Sequence, residues 1–88
     1  MSRLQLGKVV ITANAQEELD PVDVLESVSK HQHHDWGNMC EEDRKQNDLA
    51  VEEGLRIHSS YKDRNNKEFW IITEFDRSVT TILLPEDY

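Results

Sequence analysis

The chain contains a single cysteine, Cys40, so no intrachain disulfide can form. Proline and glycine are also scarce, with two and three residues, and no apolar run approaches the roughly 18 residues that a membrane helix requires. The opening MSRLQLGKVV lacks the long apolar core of a signal peptide. We therefore expect a cytoplasmic protein with no membrane association.

Basic residues are also few. Ten lysine and arginine residues stand against 18 aspartate and glutamate residues, which gives a formal net charge of −8 at pH 7. Arg44 and Lys45 form the only adjacent basic pair and lie between acidic residues, so the clustered basic footprint of a nucleic-acid-binding protein is missing. We expect no direct DNA binding. The partner suited to such a chain is a basic protein surface or a nucleic-acid-binding protein.

The hydrophobic residues that are present indicate a folded chain. They make up 36% of the sequence and occur in ordered runs, VVIT, FWIIT and TTILLP. A disordered chain of this charge would lack such runs. We therefore expect residues 1–88 to form a single domain with one core.

One strand and two helices are expected in the first half of the chain. Residues 4–12 contain the β-branched run of a strand. Asp20 is a good N-cap followed by proline at the first helical position, so a helix is expected from there to about residue 32. After the break at Gly37, a second helix is expected over about residues 39–53, with Gly54 as its C-terminal cap.

The second half of the chain alternates as strands do. Residues 55–61 alternate between two faces, residues 68–74 are apolar on both faces, and residues 79–84 read as a final strand. The sequence therefore predicts an α+β fold, with an N-terminal strand, two helices and a three-stranded antiparallel meander, about four strands in one sheet. Because two short helices can cover one face only, a homodimer through the sheet is a plausible way to cover the other.

Three of the four histidines lie within the stretch KHQHHDWGN. His31-x-His33-x-Asp35 follows the metallo-β-lactamase signature H-x-H-x-D-H except at its last position, where this chain has Trp36. That fold needs well over twice this length and takes its remaining ligands from distant histidines. Only His58 is left to supply one, so this interpretation is rejected.

Simpler interpretations account for the same stretch. A histidine at a helix C-terminus complements the negative end of the helix dipole, which explains His33 and His34. Weak metal binding by His33, His34 and Asp35 is the alternative, without the surrounding hydrogen bonds that a real site needs. We interpret His31 as a half-buried histidine bonded to backbone and expect no metal centre. No cofactor is expected either.

Residues spread over nearly the whole chain carry a resemblance. The matching positions are Leu6-Gly7-x-Val9-Val10, His31, Asp35-Trp36-Gly37, Glu42-Asp43, Asn47, Ser60-Tyr61, Trp70-x-Ile72-Thr73-Glu74-x-Asp76-Arg77-Ser78-x-Thr80-Thr81 and Leu83-Leu84-Pro85-Glu86-x-Tyr88. They resemble a family of small, uncharacterised bacterial proteins that occur on chromosomes, plasmids and phage-like elements. The C-terminal block is the most specific part, and His34 departs from the family pattern, which has glycine there. The resemblance implies a mobile-element or accessory context and no particular chemistry.

The function that we prefer from the sequence is a non-enzymatic binding module. It would act by protein–protein contact, for example as an inhibitor of a nucleic-acid-handling host defence complex. The helix expected at residues 39–53 would supply most of its binding face, which we predict to comprise Glu41, Glu42, Asp43, Asp48, Glu52, Glu53 and Trp36. A run of charge like this one is also typical of an ordinary solvated helix.

The alternative function is a small, metal-independent ribonuclease of the barnase or RelE type. Cleavage without a metal needs a base, an acid and a cation near the phosphorane. His31 would be the base, Tyr61 or His58 the acid and Arg77 the cation, with hydroxyls from Thr73, Ser78 and Thr80. The polar segment TEFDRSVTT also fits a plain hairpin turn. Because the nuclease requires distant residues to converge, we prefer the binding module.

Overall fold

Four strands form one mixed sheet in the computed structural model, which describes residues 3–88. In chain order they are β1 Lys8–Ile11, β2 Ile57–Lys62, β3 Glu68–Thr73 and β4 Val79–Leu83. The spatial order is β1-β4-β3-β2, in which the last three strands form an antiparallel meander and β1 lies parallel to β4. The predicted α+β fold with four strands in one sheet is confirmed.

Three helices lie between β1 and β2, and a short 3-10 helix follows β4. They are α1 Ala13–Glu18, α2 Pro21–Gln32, α3 Glu41–Glu53 and the 3-10 helix Pro85–Asp87. Helix α2 begins where the sequence predicts because the Asp20 carboxylate accepts hydrogen bonds from the N–H groups of Val22 and Asp23. Helix α3 ends as predicted at Gly54, whose φ of 68° is left-handed. None of the helices among the described residues is both long and apolar enough to cross a membrane.

Three predicted boundaries are wrong, one of them the start of β2, which lies at Ile57 and not at residue 55. The first strand does not begin at residue 4, because Gly7 has a φ of 64° and turns the backbone out of the extended conformation. A Cβ atom at that position would clash with the carbonyl oxygen of Arg77, so the close approach requires glycine. Helix α3 begins two residues later than expected, because the segment before it extends along β2. There the N–H of Asn38 donates to the Ser60 carbonyl at 2.7 Å.

Helices α1 and α2 pack on one face of the sheet, here called the first face. This core consists of Ala15, Leu19, Val24, Tyr61, Phe69, Ile71, Ile82 and Leu84. A smaller cluster of Leu4, Trp36, Ala50 and Ile57 seats α3 at the start of β2. The opposite, second face carries His58 from β2 and Trp70 and Ile72 from β3, with His58 directly opposite Ile72. The ring of Tyr88 contacts Trp70 on this face.

One side chain joins α3 to the outer edge of β2. The amide of Asn47 donates to the His58 carbonyl at 2.8 Å, and its oxygen accepts from the His58 N–H at 3.2 Å. The buried Asn47 thus satisfies both backbone groups that a further strand would otherwise pair with. Helix α3 is thereby held beside the edge of the sheet, at the margin of the second face.

Candidate functional site

Helix α3 places six carboxylates among its 13 residues. All six side chains are exposed, namely Glu41, Glu42, Asp43, Asp48, Glu52 and Glu53. Glu41 lies 3.7 Å from the ammonium group of Lys45, and the other five make no ion pair within residues 3–88. The exposed surface of α3 is therefore strongly negative, which agrees with the predicted acidic face.

Acidic residues on other elements are neutralised more fully. The pairs are Arg56 with Glu74, Arg64 with Asp20 and Asp23, and Lys67 with Glu18 and Glu86. Hydrogen bonds from Arg64 hold the pKa of Asp23 below its usual value. Exposed pairs of this kind add little stability. The pairs cover five of the twelve acidic residues outside α3 and one of the six on it, so α3 is the element with the most unpaired carboxylates.

The last turn of α3 carries charges of the sign that the helix dipole disfavours. Glu52 and Glu53 lie at the negative end of the helix dipole, where carboxylates are unfavourable. The guanidinium of Arg77 compensates there, because it donates to the carbonyl of Ala50 at 2.9 Å and to that of Leu55 at 2.6 Å. Arg77 therefore anchors the end of the acidic helix to the turn between β3 and β4.

A groove of about 420 Å³ lies between α3 and the second face of the sheet. We refer to it as the α3 groove, and its lining residues are Asn38, Met39, Asp43, Gln46, Asn47, His58, Ser60, Glu68 and Trp70. Its position follows from the seating of α3 by Asn47, which brings the helix beside the sheet without closing the space between them.

Both walls of the α3 groove contribute a carboxylate. Asp43 comes from α3, and Glu68 comes from the start of β3. Glu68 is oriented by two donors to the same oxygen, Oε2: the indole N–H of Trp70 at 2.9 Å and the hydroxyl of Ser60 at 3.3 Å. Neither carboxylate forms an ion pair in the described part of the chain. The groove thus combines unneutralised negative charge with an aromatic wall.

His58 adds an imidazole to the same groove. Its ring meets Trp70 edge to face, with the centroids 4.6 Å apart. Burial lowers the pKa of His58, and Arg56 lowers it further, whereas Asp43 and Glu68 raise it. Because the net shift is downward from 6.5, the imidazole is neutral at pH 7. It therefore leaves the negative charge of the groove intact.

His31, the predicted general base, lies in the core and is fully buried. Its Nδ1 is 2.6 Å from the Ser59 hydroxyl and its Nε2 is 2.8 Å from that of Thr73. Thr73 contacts the Thr80 hydroxyl at 2.8 Å, and Thr80 donates to the Leu6 carbonyl at 2.8 Å. The expectation of a half-buried histidine bonded to backbone is therefore corrected, because its partners are side-chain hydroxyls.

The donors and acceptors in this buried series of hydrogen bonds show which ring nitrogen of His31 carries the proton. The Leu6 carbonyl can only accept, so Thr80 uses its proton there and must accept from Thr73. Thr73 then accepts from the Nε2–H of His31, which leaves Nδ1 to accept from Ser59. Burial lowers the pKa of His31 to about 3, so the ring stays neutral. Both ring nitrogens are satisfied inside the core.

The remaining members of the predicted catalytic set are held by other contacts. The buried Tyr61 donates its hydroxyl to the Asp35 carbonyl at 2.7 Å, and burial raises the pKa of its phenol. Arg77 caps α3, as described above, and Ser78 donates to the Asp76 carboxylate at 2.6 Å. Of the six predicted residues, the structure joins the histidine and two threonines in the core. None of these six lines the α3 groove, whereas His58, the alternative to Tyr61 as the acid, does.

The three weak metal candidates are directed at different partners. His33 is the C-cap of α2, and its Nδ1 lies 2.7 Å from the Ser29 carbonyl. His34 stacks on Trp36, with the ring centroids 5.5 Å apart and the planes 11° from parallel. Asp35 accepts from the backbone N–H two residues later. Between residues 3 and 88, no group of three histidine, cysteine or acidic side chains is placed to hold a metal ion.

The prediction that Trp36 belongs to the binding face is wrong. Its ring is 2% exposed and belongs to the cluster that seats α3. The indole N–H donates to the Asp48 carboxylate at 2.9 Å. A buried ring cannot contact a partner, so Trp36 supports the acidic helix from beneath.

The second wall of the candidate site is not among the residues predicted from the sequence. The sequence predicts strands for Ser60, Glu68 and Trp70 and gives no sign of a role in binding. The alternation of β2 and β3 does indicate which side chains share a face. The register that pairs Ser60 with Trp70, and the docking of α3 beside them, are not encoded in any local pattern.

Comparison of the chain with protein-family models, with curated proteins and with solved structures finds no match.

Proposed function

We propose that the protein is a small acidic binding module that contacts a basic protein surface through α3 and the α3 groove. The supporting observation is the uneven neutralisation of its negative charge. Five carboxylates outside α3 pair with arginine or lysine, namely Glu18, Asp20, Asp23, Glu74 and Glu86, whereas five of the six α3 carboxylates have no cation within residues 3–88. A surface of this kind attracts a basic partner over a long range and aligns it on contact.

The partner that we propose is a nucleic-acid-binding protein. Such a protein concentrates lysine and arginine on one surface in order to neutralise phosphates. A rigid acidic helix can occupy that surface in place of the phosphate backbone. The resemblance to chromosomal, plasmid and phage-associated proteins agrees with this proposal, in which the module inhibits a host defence complex in the cytoplasm.

Capture of partners from a nuclease-treated bacterial lysate tests the proposal. The immobilised protein should retain a basic nucleic-acid-binding protein at low salt and release it as salt rises, because exposed charges are screened. The double variant Glu42→Gln/Glu52→Gln removes two exposed α3 charges and should bind that protein about fivefold more weakly. Adding the module to the purified partner should displace its nucleic acid.

A matched control separates the α3 surface from overall charge. The variant Glu17→Gln/Glu26→Gln removes two charges from exposed positions on α1 and α2. It should retain the partner nearly as well as the unmodified chain. Equal losses in the two double variants would contradict a role for α3, and a partner that keeps its nucleic acid would contradict inhibition.

The ribonuclease hypothesis stays a prediction and is not our proposal. Its proposed base has no exposed surface, and both ring nitrogens of His31 are engaged in the core. A phosphodiester could reach that imidazole only if α2 moved away from the sheet. Incubation of purified protein with RNA in chelator tests it directly. Degradation that His31→Gln leaves unchanged would come from a contaminant.

A further inference from the structure

We propose that the α3 groove is the receptor for one arginine side chain of the basic partner, an inference that rests on the proposed function. The exposed carboxylates of α3 would attract the basic partner, and the groove would bind one of its arginine side chains. Its volume of about 420 Å³ falls within the range of sites that hold small ligands, about 300–1,000 Å³. Space for the planar head of one long side chain is therefore present.

The acceptors for a guanidinium are already in place. Glu68 is held by Trp70 and Ser60 through Oε2 alone, and its Oε1 has no hydrogen-bond partner among the described residues. Asp43 stands on the opposite element with no ion pair in the described chain. A carboxylate that is fixed before binding loses little conformational freedom when a charged donor arrives. These two groups therefore favour a cation over any neutral or anionic ligand.

The aromatic and thioether walls favour arginine over lysine. A guanidinium is flat, stacks on an indole and can donate two parallel hydrogen bonds to one carboxylate, whereas an ammonium is a strongly hydrated point charge. Trp70 supplies the indole beside Glu68. Met39 supplies a flexible apolar surface against which the methylene stem of the arginine can pack.

The same face of the sheet already holds one arginine close to both an aromatic ring and a glutamate. The guanidinium carbon of Arg56 lies 5.4 Å from the centroid of the Tyr88 ring, and its Nη1 donates to the Tyr88 hydroxyl at 2.8 Å. The carboxylate of Glu74 lies 3.6 Å from the same guanidinium. The guanidinium of Arg56 is therefore close to both an aromatic ring and a carboxylate. In the α3 groove, Trp70 and Glu68 form the matching ring and carboxylate, and no arginine of the described chain pairs with Glu68.

The experiment is a titration of the ¹⁵N-labelled full chain with three short peptides that differ at one position. That position holds arginine, lysine or the neutral isostere citrulline. The chain has two indole N–H signals, from Trp36 and Trp70, and the variant Trp70→Phe assigns them. The arginine peptide should shift the Trp70 signal, leave the Trp36 signal unchanged and bind at least tenfold more tightly than the citrulline peptide. The lysine peptide should bind several-fold more weakly than the arginine peptide.

Charge-neutral variants localise the effect. Glu68→Gln keeps an oxygen that can accept from Trp70 and should weaken the arginine peptide about tenfold, and Asp43→Asn should also weaken it. Glu52→Gln removes the same charge at the far end of α3 and should change the affinity less than twofold. Two results would contradict an arginine site in the α3 groove: equal effects of Glu68→Gln and Glu52→Gln, or equal affinity for the arginine and lysine peptides. Neither result would contradict the proposed binding of a basic partner by the acidic surface of α3. The proposed function itself fails separately, when the lysate capture does not depend on α3.

Discussion

His31 is the residue whose environment departs furthest from what its spacing suggests. It ends the apolar stripe of α2, yet its imidazole sits fully buried between the hydroxyls of Ser59 and Thr73. A buried donor or acceptor that loses its partner costs about 1–3 kcal/mol. The five-membered chain from Ser59 to the Leu6 carbonyl therefore ties α2, β2, β3, β4 and the segment before β1 into one arrangement.

Stability is expected to fall on mild acidification because of this residue. The pKa of His31 is about 3 in the folded chain and 6.5 in the unfolded chain. Between those values the unfolded chain takes up a proton that the folded chain excludes, so the free energy of unfolding decreases as the pH falls. The contribution is at most about 1.4 kcal/mol per pH unit and is fully present above about pH 6.5. Urea unfolding between about pH 5 and pH 7 measures this slope.

The control for this prediction is His31→Gln, which keeps hydrogen-bonding capacity and cannot titrate. His58, whose pKa is also lowered by burial, adds to the slope in the same direction in both proteins. The variant should be less stable at pH 7 and should show a flatter pH dependence. An unchanged slope in His31→Gln would show that the proton uptake belongs to other groups.

At the scale of elements, α3 is unusual because contacts with distant parts of the chain hold its middle and its C-terminal end. Its N-cap position, Cys40, makes no side-chain hydrogen bond to the helix, and its last turn carries two glutamates against the dipole. Asn47 joins its middle to β2, and Arg77 joins its end to the β3–β4 turn. The acidic surface is therefore oriented by two polar anchors more than by its own sequence.

Arg77 provides a test of this anchoring, because it combines a capping role with a left-handed φ of 60°. Arg77→Ala and Arg77→Gly both remove its hydrogen bonds to carbonyl groups, which should cost about 1–3 kcal/mol of unfolding free energy. Alanine also bears the left-handed penalty of about 1–2 kcal/mol, so Arg77→Gly should be the milder change. Urea unfolding gives the ranking. Hydrogen exchange should show the amides of α3 losing protection in both variants, and equal stability of the two would argue against backbone strain.

The elements and the anchors differ in how far the sequence predicts them. Helix α2 and the end of α3 follow from local chemistry, since Asp20 caps one and Gly54 terminates the other. The acidic face of α3 is equally visible in the sequence. The α3 groove is not, because it depends on the register that sets Ser60 beside Trp70 and on the long-range bond from Asn47 to β2. Such contacts join residues that no periodic pattern relates.

At the scale of the whole molecule, the net charge of −8 has opposite effects on binding of a basic partner and on self-association. A basic partner is attracted to α3, whereas a second copy of the chain brings the same negative charge and is repelled. The homodimer expected from the doubly apolar β3 would use the second face, where Ile72 is buried and Trp70 is partly exposed. Trp70 also lines the α3 groove, so dimerisation and binding of a basic partner compete for one surface.

Salt should therefore move the two associations in opposite directions. Raising the ionic strength from about 0.05 M to 0.5 M shortens the screening length severalfold, which weakens attraction to a basic partner and relieves repulsion between copies. Sedimentation of the protein alone should show self-association that grows with salt, and titration with the arginine peptide should show affinity that falls with salt. Trp70→Glu adds charge at the shared surface and should suppress self-association at both salt concentrations. A dimer that salt dissociates would point to ion pairs between copies, and it would contradict docking through the exposed part of Trp70.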